Sequence, residues 1–207
     1  MSVSYALLID GGFLRYKLGS AKNPVDAEAI SAFAGQVTSL PCVAGMRLHR
    51  IYFYDAKPLE GTYKVPLSGG DIDFGANPVA ARNKSIQALL LRKPFFALRF
   101  GELFHEGWRL RKKVLRKPGP TLEITAADIE PNIRQKGVDM RIGLDIASLT
   151  LKHHVQAIVL VTADSDFIPA MKFARREGAQ MFLVTLGHGI KDGMREHADL
   201  VIESLAN

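Results

Sequence analysis

The run Ala157-Ile158-Val159-Leu160-Val161-Thr162-Ala163-Asp164-Ser165-Asp166-Phe167-Ile168-Pro169 carries the reading of the fold. Its first five residues are apolar without a break, as a strand covered on both faces requires. The polar turn that follows holds two aspartates, and Ser165 or Asp166 can cap a helix with Pro169 in its first turn. Outward from this stretch the same rhythm recurs. Residues 5–9 form an apolar run that stops at Asp10-Gly11-Gly12, and 48–54 form one that stops at Asp55. Residues 95–100 and 179–186 add two more strands, and 200–202 add a short last one. Between them, 27–40, 80–91, 139–153 and 167–177 have helical spacing and length. Strand and helix in alternation predict an α/β fold, with a mostly parallel central sheet and helices on both faces.

Two segments break the rhythm. Residues 60–78 are rich in Gly, Pro and Asp and read as a long loop. Residues 103–120 contain Trp108, alternate Arg109-Leu110-Arg111 and end in Pro118-Gly119-Pro120, so they read as a hairpin or arm inserted in the sheet. Neither is long enough for a second domain. The chain 1–207 is therefore read as one domain with a basic insertion over 103–120.

Composition narrows the function. With 207 residues, 47% of them hydrophobic, the chain can bury a core without staples. The single cysteine, Cys42, forms no internal disulfide and excludes a cysteine zinc site, which fits a reducing compartment. No basic segment precedes the first apolar run, which meets Asp10 early and reads as a strand and not a signal peptide. No run approaches the roughly 18 apolar residues of a membrane helix, so the expectation is a cytoplasmic protein without a membrane partner. Oligomeric state is left open, a homo-oligomer being allowed. Lys and Arg outnumber Asp and Glu by 27 to 21. Arg109, Arg111, Lys112, Lys113, Arg116 and Lys117 put six positive charges within nine positions, a concentration that attracts a polyanion. The alternative is a solvated basic loop.

Functional groups in a parallel α/β sheet collect beyond the carboxyl ends of its strands. Asp10, Asp164 and Asp166 lie at such ends, roughly 150 positions apart in sequence. Like charges brought together repel, and a bound cation relieves the repulsion. Mg²⁺ or Mn²⁺ suits a set of oxygen donors with no His or Cys cluster nearby. Asp139 opens a helix after Gln135-Lys136-Gly137-Val138, where it serves as a cap or as a ligand near the same rim. Asp145, six residues on, lies about 120° further round the helix, so it is an outer candidate. Thr162 and Ser165 can hold water or phosphate. Gly11 and Gly12 permit close approach by a ligand phosphate, although glycine pairs are common in ordinary turns. No dinucleotide or phosphate-loop fingerprint accompanies them. His153 and His154 suit a helix end, His188 between two glycines is a ligand contact near the rim, and Asp199 is expected to hold backbone.

Three runs, Leu7-Leu8-Ile9-Asp10-Gly11-Gly12, Lys136-Gly137-Val138-Asp139 with Asp145, and Val161 through Pro169, together resemble the NYN family, the LabA-like branch of the PIN-like nuclease superfamily. Gly178 with the strand after it, and Arg195-Glu196-His197-Ala198-Asp199, look like its C-terminal pattern. The likeness spans about residues 5–203. It implies a three-layer Rossmann-like, PIN-like fold and a metal-dependent ribonuclease, with Asp10, Asp139, Asp164 and Asp166 at the family's acidic positions and Asp145 at a further recurrent one. The chain departs from the family at Phe13, where an asparagine is usual.

The mechanism expected is hydrolysis of RNA around Mg²⁺ or Mn²⁺ held by the aspartates. Lys136, Arg134 and the 109–117 cluster would hold the RNA backbone. A phosphatase or nucleotide hydrolase, a non-catalytic RNA-binding or regulatory module, and a purely structural protein are the competing readings.

Overall fold

β1 (Ser4–Asp10) and β7 (Ala157–Val161) run parallel at the middle of a seven-stranded sheet in a computed structural model that describes residues 3–20, 22–114 and 121–205. On one side of β1 lie β2 (Arg47–Ala56), β5 (Phe96–Leu110) and β6 (Ile129–Lys136); beyond β7 lie β8 (Gln180–Val184) and β9 (Leu200–Ile202). The sheet order is β6-β5-β2-β1-β7-β8-β9, and every pairing is parallel except β5 with β6. The chain adds strands first to one flank of β1 and then, from β7, to the other. Such a reversal is the switch point at which open α/β sheets bind their ligands, beyond the carboxyl ends of the strands, here β1 and β7.

Alternation along the central strands divides the core. Leu7, Ile9, Phe53, Val159 and Val161 pack with Ile30, Phe33 and Val37 of α2 (Ala27–Thr38) and with Ile86 and Leu90 of α3 (Pro78–Leu90). Ala6, Leu8, Tyr54, Ile158 and Leu160 face the other way. They meet Ile142, Ile146 and Leu149 of α4 (Val138–Leu151) and Met171 and Ala174 of α5 (Ile168–Arg176). The expected α/β class, with helices on both faces of a mostly parallel sheet, is the one observed. Among the described residues no helix is long and apolar enough to cross a membrane.

The structure corrects the sequence reading in four places. Residues 11–18 form a helix, α1 (Gly11–Leu18), although two glycines open it. It stands because the Asp10 carboxylate caps it and Leu14 is buried. Residues 60–78 are not loop throughout: β3 (Thr62–Lys64) and β4 (Asp71–Asp73) pair as a small hairpin. The strand expected over 95–100 continues to Leu110, and β6, missed in the sequence, pairs with its second half. A short helix, α6 (Asp192–Glu196), precedes β9. β2 ends opposite Gly101, so β5 from Glu102 onward has β6 as its neighbour and passes beyond the carboxyl edge as a two-stranded arm.

Candidate acidic site at the carboxyl edge

Asp10 ends β1, and one of its oxygens accepts from the backbone N–H of Gly12 at 3.0 Å and of Phe13 at 3.1 Å. The other oxygen accepts from the Thr162 hydroxyl at 3.3 Å. Thr162, fully buried just past β7, accepts in turn from the Asp164 N–H at 3.2 Å. Thus one hydroxyl links the Asp10 side chain to the Asp164 backbone across the crevice. The Asp164 carboxylate accepts from the Asp166 N–H at 2.9 Å and caps a one-turn helix over Ser165–Phe167. Capping therefore belongs to Asp164, not to Ser165 or Asp166. The Ser165 side chain makes no hydrogen bond among the described residues.

Asp139 lies in the first turn of α4 but does not cap it. The cap position is Gly137, whose left-handed φ of 78° makes the sharp entry from β6, and no side chain caps there. The Asp139 carboxyl is raised above the ordinary range, first by partial burial and then by the charges of Asp164 and Asp166. Asp10 is raised as well, first by burial, with the Asp139 charge adding to it and its hydrogen bonds opposing it. The four carboxylates thus form one repelling set. For both groups the protonated form is favoured by folding, so their ionisation lowers stability as pH rises through the raised values.

The donor chemistry, carboxylate and hydroxyl oxygens only, fits a hard divalent cation. Among the described residues, however, no group of three or more His, Cys, Asp or Glu side chains stands close enough to hold one as placed.

Other expected site residues have different neighbours. Gly11 makes its close approach to protein: an added Cβ would lie 2.5 Å from the Tyr54 carbonyl oxygen. A Cβ on Gly12 would sit 3.3 Å from the Asp10 carboxylate. Asp145 accepts from the Tyr54 hydroxyl at 2.9 Å and from Arg99 at 3.0 Å, which pins α4 to β2 and β5. Asp199 holds the Met181 N–H at 2.7 Å, as expected, and pairs with Arg175. The helix ending at Leu151 stops before His153 and His154, and His154 stacks on His49 at 5.8 Å.

The basic residues divide by position. Lys136, opposite Glu102 at the root of the arm, sits three residues before Asp139, with Arg134 two residues further out. Arg109, Arg111, Lys112 and Lys113 lie at the far end of the arm, on the order of 25 Å from its root at about 3.3 Å per residue. Arg116 and Lys117 fall outside the described residues. Two glutamates that the sequence reading passed over answer these charges. Glu106 lies 3.1 Å from Lys136 and 3.9 Å from Arg134, and Glu130 lies 2.9 Å from Arg109 and 3.7 Å from Arg111. Lys112 and Lys113 have no ion pair among the described residues.

A further missed element lies next to the crevice. Arg15 of α1 makes a two-pronged pair with Asp55 at 2.7 Å for each contact, and Gln87 of α3 donates to the same carboxylate at 2.9 Å. Asp55 is only 6% exposed. The triad ties α1, whose cap is Asp10, to the end of β2. The only sequence hint was an acid at a strand end, the same hint that marks Asp10.

Trp108 through Leu205 match a known family. Residues 108–205 match the model of the NYN domain. The matched stretch contains Asp139, Asp164 and Asp166, while the first motif, with Asp10, lies outside it. An uncharacterised protein of Methanocaldococcus jannaschii is 30% identical over 74 residues. The aligned part is 36% of this chain, and it spans 31% of that relative's length. The crystal structure of a protein of unknown function from Vibrio parahaemolyticus superposes with a TM-score of 0.52 at 13% identity, over 97% of this chain and 92% of that one. At that identity the likeness concerns the fold.

Proposed function

We propose that this protein is a PIN-like nuclease of the LabA-like branch, one domain over 1–207, that hydrolyses RNA phosphodiester bonds at the crevice between β1 and β7. Asp10, Asp139, Asp164 and Asp166 would hold Mg²⁺ or Mn²⁺. The observation that carries the reading is the convergence itself: Thr162 links Asp10 to Asp164, and Asp139 is near enough to be repelled by Asp164 and Asp166. Unpaired like charges at a switch point favour a cation, and three of the four residues lie within the stretch that matches the NYN model. Such a cation would polarise the phosphodiester and acidify a water. The chain's own contribution is positioning. The Gly12 and Phe13 amides and the Thr162 hydroxyl fix the Asp10 carboxylate, while Asp145, through Tyr54 and Arg99, fixes the helix that carries Asp139. Lys136 and Arg134 stand beside this edge to hold RNA backbone, which gives weak sequence selectivity.

The spread of the carboxylates favours one competing reading, a non-catalytic RNA-binding module. Both are tested by incubating the chain with an end-labelled single-stranded oligoribonucleotide in Mn²⁺. We expect cleavage that chelation stops and that Asp164→Asn reduces at least about 100-fold, the scale of losing an electrostatic contact to the reacting group. An unchanged rate in clean Asp164→Asn protein would sink the nuclease reading. Tight binding without cleavage would establish the binding module, and hydrolysis of a mononucleotide instead of the oligomer would point to a phosphatase.

A further inference from the structure

We infer that Phe13, Tyr16 and His188 form a platform on which one unpaired base of the nucleic acid stacks beside the acidic edge; the inference rests on the function proposed above. Phe13 and Tyr16 are three residues apart on α1 and share a face of the helix. His188 meets both edge-on, with ring centroids 6.0 Å and 6.1 Å apart and planes at 87° and 79°. Phe13 is half-buried against the core and anchors the group, whereas Tyr16 is 72% exposed. A single perpendicular neighbour steadies the tyrosine ring and cannot cover both of its faces, and every base has a π-face to lay on an open one.

The place of the group ties it to the site. α1 is the helix that Asp10 caps, and Tyr16 is six residues beyond that cap, roughly 9 Å along the axis at 1.5 Å per residue. That is the scale of a nucleotide or two. His188 is held by its backbone: it follows two left-handed residues, Leu186 with φ 50° and Gly187 with φ 69°, and its N–H donates to the Thr185 carbonyl at 2.9 Å. A left-handed leucine is costly and persists where its surroundings enforce it, which is common at ligand sites.

The charge around the platform suits a polyanion. Lys17 adjoins Tyr16 and Lys191 follows His188, and neither has an ion pair among the described residues. Tyr16 also lines a cleft of about 420 Å³ with Arg15, Arg82 and Asn83. The Arg15 guanidinium is taken by Asp55, which leaves Arg82 as the cation for a neighbouring phosphate. A base inside a duplex keeps its faces stacked on its neighbours. The platform would therefore select unpaired strands.

The test is binding of a fluorescent single-stranded oligoribonucleotide to the full chain in EDTA, with the same sequence as a duplex for comparison. We expect Tyr16→Ala and His188→Ala to bind the single strand about tenfold more weakly, Tyr16→Phe to bind as the parent does, and duplex binding to change by less than twofold. Replacing the bases by abasic units should erase the difference between parent and Tyr16→Ala. If the parent binds and cleaves single strands while Tyr16→Ala binds within twofold of it, the platform is wrong and the nuclease reading stands. If the parent binds single strands through these residues without cleaving in Mn²⁺, the platform stands and the nuclease reading fails. A parent that neither binds nor cleaves overturns both.

Discussion

The crevice between β1 and β7 and the arm formed by β5 and β6 hold charges of opposite sign, and they treat them in opposite ways. On the arm, Arg109, Arg111, Arg134 and Lys136 each stand within 4 Å of Glu130 or Glu106, so four cations share two carboxylates, while Lys112 and Lys113 have no ion pair among the described residues. At the carboxyl edge, Asp10 and Asp164 have amides and a hydroxyl for partners, no cation pairs with Asp10, Asp139, Asp164 or Asp166 among the described residues, and two of the four carboxyls are raised by burial and by their neighbours' charges. Exposed ion pairs contribute little to stability, about 0–1 kcal/mol, and are readily exchanged. Converged like charges lower stability, a cost that a bound cation would relieve. The contrast separates a surface whose cations share nearby carboxylates from a set of carboxylates left to repel one another.

The strongest way to break that contrast is to neutralise one carboxylate in each region. Asp139→Asn is expected to lower RNA cleavage about 100-fold without lowering Tm, while Glu130→Gln changes cleavage by less than about twofold. Equal losses in a cleavage assay would dissolve the distinction. Next in size is the support beneath the crevice. Asp55→Ala removes the shared partner of Arg15 and Gln87 and is expected to destabilise the fold by roughly 2–4 kcal/mol. Urea unfolding would show it as a fall in midpoint at constant slope, and a change below about 0.5 kcal/mol would mean that the triad does not support α1.

A third prediction uses pH. Because the Asp10 and Asp139 carboxyls lie above the ordinary range, near 4 for aspartate, cation binding requires protons to leave at a higher pH than for free aspartates. At about one hundred times Kd, Mn²⁺ should add about 2.7 kcal/mol, or roughly 5–10 °C in Tm, near pH 7.5. The rise should fade as pH drops through the raised values. A shift that is equal at pH 7.5 and pH 4.5 would contradict the assignment of these carboxylates as the ligands. The smallest effect sharpens the arm. Glu106→Gln frees Lys136 and Arg134, and single-stranded RNA should bind two- to fivefold more tightly at low salt with a steeper salt dependence, read by fluorescence anisotropy.

The alternation of strand and helix and the strand-end aspartates were legible in one dimension, since burial on both faces writes continuous apolar runs and a strand end is marked by what stops it. Asp10, Asp164 and Asp166 were found that way. α1 was not legible, because Gly11 and Gly12 argue against a helix by propensity, and only the Asp10 cap and the buried Leu14 reverse that. β6 was hidden because its residues, half-buried in the first half and exposed in the second, and Pro131 lack strand patterning, and the partner that makes them a strand lies in β5.

By itself, the sequence determined the α/β class and which carboxylates stop the central strands, because both follow from local burial and from the chemistry of single positions. Tertiary structure alone decided that Thr162 bridges Asp10 and Asp164, that Asp145 serves Tyr54 and Arg99, that Glu106 and Glu130 pair with cations of the arm, and that His188 meets Phe13 and Tyr16. The physical reason is that charge pairing and ring contact act over a few ångströms of space. Sequence separation carries almost no information about that distance until the sheet order is set.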